Sequence, residues 1–103
     1  MNQNTIIEVK NKARKKRAVF IRKVYDLITN GVLVNDPERL DIRGVLTCGK
    51  DVEIDINVII EGNVVLGDGV FIGANCILNN CEIGNGTHVK PFSFIEKIFI
   101  VLS

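Results

Sequence analysis

The chain has 103 residues, 47% of them hydrophobic and 24% charged, with a formal net charge of +1. That is enough for one small domain, and the composition excludes a disordered polymer. No apolar run approaches the roughly 18–20 residues that cross a bilayer. The opening MNQNTIIEVK also lacks the apolar stretch of a secretory signal, so a cytoplasmic protein with no membrane partner is expected.

The charge is unevenly spread. Residues 1–50 hold 11 Lys and Arg against 5 Asp and Glu, whereas residues 51–103 hold 2 against 7. The basic part includes Lys10, Lys12, Arg14, Lys15, Lys16, Arg17, Arg22 and Lys23. Such a cluster can bind nucleic acid or another anionic surface. No aromatic residues interleave with the cations as a base-stacking surface requires. A solvated helix face is therefore the preferred reading, and a basic-helix binder is the weaker alternative.

In chain order, residues 1–11 read as a frayed polar segment and residues 12–30 as a helix. Ile21, Val24, Tyr25 and Ile28 fall at i, i+3, i+4 and i+7, one apolar stripe. Tyr25 on that stripe is expected to pack rather than to do chemistry. Asn30-Gly31 is a stop signal, because glycine accepts the left-handed conformation that ends a helix. Residues 31–47 read as a connector containing Pro37, which keeps Asp36 out of a helix. The expected organisation is a polar segment and helix over 1–30, a connector over 31–47 and a repeat domain over 48–103.

The repeat is the most informative feature. Isoleucine or leucine stands at Ile54, Ile60, Leu66, Ile72 and Leu78; after one five-residue step the series resumes at Ile83, Val89, Ile95 and Val101. Four positions on come Val58, Val64, Val70 and Cys76, then Thr87 and Ser93. This hexapeptide period predicts a parallel β-helix, a mainly β solenoid preceded by an N-terminal helix. Each large residue points inward and stacks over its counterpart one coil away. Gly, Asn or Asp at hexad ends turn the corners, since they tolerate positive φ most cheaply. Three hexads make a coil of about 18 residues, so about three coils are expected, near the minimum for a stable array.

The residues that could carry chemistry have plainer readings. Cys48, Cys76 and Cys81 form neither a paired framework nor a metal-binding C-x-x-C, and read as small buried residues in a reducing compartment. The only histidine, His88, is tempting as a general base, but as the last residue of its hexad it reads as a solvent-facing corner. Lys90-Pro91 reads as an ordinary turn. Asp51, Glu53 and Asp55 alternate along a strand and are expected to face solvent rather than to form an acid–base pair.

The phrases DPERLDIRG, GKDVEIDINVIIEGNV and the five-residue slip LNNCEIG lie within residues 31–96. That stretch resembles the bifunctional N-acetylglucosamine-1-phosphate uridyltransferase/glucosamine-1-phosphate acetyltransferase family. The resemblance implies that the helix is a shortened, more basic form of the family's linking helix and that the β-helix is left-handed and trimerises. It further implies an ancestor that acetylates glucosamine-1-phosphate from acetyl-CoA and then, with magnesium, transfers uridylate to make UDP-N-acetylglucosamine for peptidoglycan and lipopolysaccharide. In the alignment that the resemblance implies, Lys10 falls on the first of a metal-binding asparagine pair and Asn11 on the second; a cation there repels magnesium.

The nucleotidyltransferase domain has no counterpart here, and the family's acetyl-transfer residues lie in coils beyond the match. No catalytic or metal residue is therefore assigned, and no cofactor is expected for this chain itself. The expectation is a truncated homologue without activity alone. The alternative is an acyltransferase component that works as a homotrimer or with a partner supplying further coils. The apolar Ile98–Leu102 is expected to leave an uncapped end.

Overall fold

A computed structural model describes residues 3–97. The helix α1 spans Gln3–Thr29 and so takes in most of the segment expected to be frayed. No glycine or proline interrupts residues 1–30, and once nucleated a helix propagates until something stops it. It ends as its sequence foretells. Gly31, at φ +96°, donates its N–H to Ile28 O at 3.0 Å, and Val32 N–H donates to Leu27 O at 3.0 Å. These two bonds form a Schellman stop that satisfies the last carbonyls.

The strands follow in chain order: β1 Leu33–Val34, β2 Leu40–Ile42, β3 Val45–Cys48, β4 Glu53–Ile54, β5 Val58–Leu66, β6 Phe71–Ile72, β7 Ile77–Ile83, β8 His88–Val89 and β9 Phe94–Glu96. A 3-10 turn over Pro37–Arg39 is capped by Asp36, whose Oδ1 accepts the Glu38 N–H at 3.1 Å. All strand pairs are parallel. One sheet runs β1-β4-β6-β8, and the other β2-β5-β7-β9 with β3 also on β5. The register climbs one coil at a time: Ile42 lies under Ile60 and Ile60 under Leu78. This is the parallel β-helix that the hexads require.

It has about four rungs rather than three. The repeat reading starts at Cys48, but the connector already joins the ladders, with Leu33 pairing Glu53 and Leu40 pairing Val58. Loop spacing there hides the period, because 20 residues separate the first pair and 18 the second. The five-residue step appears as a register shift between Glu61 and Val64. Asn80, at φ +46°, turns alone the corner that takes Gly62 and Asn63 one rung earlier.

The inward column is as the period predicts. Ile54, Ile60, Ile72 and Leu78 are 0% exposed, and Leu66 and Ile83 1%. Val58, Val64, Val70 and Cys76 fill the second column, and Thr87 is also buried. Val101 and the expected apolar tail lie outside the described residues.

The helix packs against the first rung, contacting β1, β2 and the 3-10 turn. Val24 is 1% exposed and shares a core with Val32, Val34, Leu40 and Ile42, flanked by Leu27 and Ile28. Tyr25 corrects the sequence reading, because it is 52% exposed. Successive helix residues point about 100° apart, so docking on Val24 turns its neighbour outward. Lys23 Nζ donates to Gly44 O at 3.1 Å, and Arg17 pairs with Glu38. Two cations of the basic cluster thus clamp the helix to the solenoid. No helix among the described residues is long and apolar enough to cross a membrane.

Candidate functional site

Parallel stacking in register lines side chains into outward columns, so each face of the solenoid carries a short ladder of like positions. One column is Leu33, Glu53, Phe71 and His88. His88 is exposed, as expected, but it opens strand β8 rather than forming a corner. Its ring meets Phe71 edge-on, with centroids 5.8 Å apart and planes at 61°. Asp51, Glu53, Phe71 and His88 together border a shallow hollow of about 340 Å³.

Asp51 is exposed and Glu53 and Asp55 are half-buried. The Asn35 amide donates to Glu53 at 3.2 Å and to Asp55 at 3.3 Å. Asp55 Oδ1 also accepts the Ile56 N–H at 2.8 Å. Glu53 and Asp55 are therefore held by amides on an outer face, an arrangement that satisfies their oxygens rather than one that poises a proton.

A second column is apolar: Asp41 is followed by Ile59, Ile77 and Phe94. Phe94 is 62% exposed, and beside it Phe92 is 81% exposed at φ +62°. The equivalent corners one and two rungs earlier are Asn75 and Asn57, at φ +61° and +56°. Asparagine tolerates that backbone cheaply and phenylalanine does not. Lys90 and Pro91 form the exposed turn that leads into it.

The cysteines are free, with Cys76 and Cys81 buried and Cys48 half-buried. Cys76 Sγ donates to Lys90 O at 3.2 Å. Burial pushes the Cys48 thiol up from 9.0 to about 11. Burial also raises Cys81, partly offset by a hydrogen bond with the Asn79 backbone. A thiol shifted this way is a poor nucleophile, because the thiolate is the reactive form. At pH 8 Cys48 should carry about a hundredfold less thiolate than an unshifted cysteine, so mass spectrometry should find it alkylated by iodoacetamide far more slowly in the folded chain than in urea. The sign for stability follows. The unfolded chain loses this proton near 9 and the folded chain near 11, so Cys48 weakens the fold as pH rises through that window. Cys48→Ala should flatten this part of the alkaline stability profile.

Lys10 and Asn11 stand exposed on α1. An ammonium beside one amide is not an oxygen ligand set for magnesium, so these residues do not fit that ion.

The stacked coils and hexad columns define a hexapeptide-repeat β-helix, and residues 47–80 match the bacterial transferase hexapeptide family, described as six repeats. Over 71 residues, 69% of this chain, the sequence is 58% identical to the Bifunctional protein GlmU of Azoarcus sp. (strain BH72). The chain is thus a GlmU-like hexapeptide-repeat homologue over its hexapeptide region. That stretch spans 16% of the relative's length.

Proposed function

We propose that this chain is a scaffold segment of an acetyl-CoA-dependent sugar-phosphate acetyltransferase. On this reading its coils self-associate as a trimer, and groups for acetyl transfer come from further coils on a partner. The reaction would form the C–N bond between the glucosamine-1-phosphate amine and the acetyl carbonyl. It would break the thioester C–S bond, and the proton lost by the amine would pass to the departing thiolate, so that coenzyme A leaves as the thiol. Uridyl transfer is not proposed, since Lys10 and Asn11 do not suit magnesium.

The observation that carries this reading is 58% identity to a bifunctional protein over 71 residues, in a chain whose strands build a parallel ladder. The exposed Phe92 and Phe94, with the half-buried Ile77 beside them, suit burial against other copies, because apolar surface gains from leaving water. Sedimentation equilibrium together with thiol release from acetyl-CoA and glucosamine-1-phosphate tests the proposal. The expected result is a discrete β-rich trimer whose rate equals the enzyme-free blank. A rate clearly above the blank would show that the chain is an enzyme by itself. A disordered monomer would remove the scaffold reading.

A further inference from the structure

The basic half of α1 has no part in acetyl transfer as proposed above. From Lys10 to Lys23 the helix carries eight Lys and Arg and no Asp or Glu. The fold accounts for two of them, because Arg17 pairs with Glu38 and Lys23 donates to Gly44 O. Lys10, Lys12, Arg14, Lys15, Lys16 and Arg22 are all exposed, and none of the six makes an ion pair among the described residues. The Lys16 ammonium lies 5.9 Å from the centre of the Phe20 ring.

Two features of this cluster say what it fits. The first is that it works against the bare helix. Lys10 and Arg14 stand four residues apart on one side, as do Lys12 and Lys16, and like charges at that spacing destabilise a helix. A polyanion turns that repulsion into attraction. The second is how the charges are spread. Successive residues turn by about 100°, so the pairs Lys10 and Arg14, Lys15 and Arg22, and Lys12 and Lys16 look to three sides, about 90–160° apart. A flat bilayer meets one side of a helix and calls for cations segregated on it. The major groove of double-stranded DNA is about 12 Å wide, admits a helix of about 10–12 Å diameter and carries phosphates along both flanks. The major groove of double-stranded RNA is too narrow for one. The lack of interleaved aromatics argues against unpaired bases but is no obstacle to a duplex backbone.

We propose that residues 10–22 of α1 bind double-stranded DNA along its major groove, through phosphates and without sequence preference. The six exposed cations supply the contacts, and contacts to phosphate position a protein without reading bases. Arg17 and Lys23 stay with the solenoid and hold the helix to the first rung. Val24 is buried in the core shared with that rung, which leaves the preceding turns of the helix to the duplex. The proposal goes beyond the acetyltransferase reading and does not rest on it, because it uses none of the outer faces of the coils.

Fluorescence anisotropy of a labelled DNA duplex of about 20 base pairs, titrated with the full chain, tests it. The duplex should bind at about 50 mM salt and lose at least about a hundredfold in affinity by about 200 mM. Duplexes of unrelated sequence should bind within about threefold of one another. The Lys12→Gln/Arg14→Gln/Lys15→Gln/Lys16→Gln variant keeps both contacts to the solenoid and replaces each cation with a good helix former. Its far-UV circular dichroism should match that of the parent. Its affinity should fall at least about tenfold, and its salt dependence should flatten by about three to four phosphate contacts. No binding at about 50 mM salt overturns the proposal, and so does unchanged affinity in the variant. Tighter binding to single-stranded DNA, or to vesicles of phosphatidylserine and phosphatidylcholine, also overturns it, because the helix would then serve a different anionic partner.

Discussion

Ile60→Ala should lower the unfolding free energy by about 4 kcal/mol, within the range for truncating a fully buried isoleucine. Ile60 is 0% exposed and sits between Ile42 and Leu78 in the inward column. A solenoid rung touches only its neighbours, so a hole in one rung loosens both adjacent interfaces. A domain of this size has only about 5–10 kcal/mol to lose. The neighbouring Ile59, half-buried on the outer face, is the control, and Ile59→Ala should cost under about 1 kcal/mol. Urea unfolding followed by far-UV circular dichroism, at one fixed protein concentration, would read both. Equal losses for the pair would mean that the inward column is not the core.

Gly44→Ala should be nearly as severe, at about 3 kcal/mol, although the same change at an unconstrained site commonly stabilises. A methyl on Gly44 would overlap the Gly62 carbonyl oxygen and lie 2.7 Å from the Gly62 nitrogen and 2.8 Å from its carbonyl carbon. All of these are backbone atoms of the adjoining rung. No side chain can swing aside, so two coils spaced by about 4.8 Å must separate. Gly31→Ala isolates the other kind of glycine constraint. Its φ is +96° with nothing within 4 Å of an added methyl, so the cost is backbone strain alone, about 1 kcal/mol. Thermal melts of the two variants should separate by several degrees. If Gly44→Ala is the milder of the two, the close stacking of the first two rungs is wrong.

The two effects differ in how far the sequence announces them. Ile60 belongs to a series that anyone can count. Gly44 looks like many loop glycines, and only the position of Gly62 one coil away gives it its cost. The site residues divide in the same way. The outward placement of Glu53 beside the inward Ile54 follows from alternation along a strand, whereas Asp51 faces solvent from a left-handed turn at φ +58°. The His88–Phe71 contact does not, because it depends on a 17-residue step between rungs, set by a corner elsewhere in the coil. Tyr25 faces solvent because an i, i+3, i+4 pattern marks a stripe wider than the surface that the first rung offers to the helix. Val24 and Leu27 won that surface. Phe92 is legible as a residue but not as an exposed left-handed corner, where the preceding rungs carry asparagine.

What the sequence by itself determined is the solenoid: its period, its inward residues, the helix before it and the helix stop at Asn30-Gly31. These follow because each hexad repeats the same local rule, and the residue above or below is a copy of the one being read. What only the tertiary structure decided is where unlike surfaces meet. The connector joins the ladders as a first rung, the helix docks through Val24 while Tyr25 faces water, and His88 comes to rest against Phe71. Such contacts pair residues related by no period. Their partners are chosen by shape, burial and register across the whole fold, and the chain states those only once it is wound.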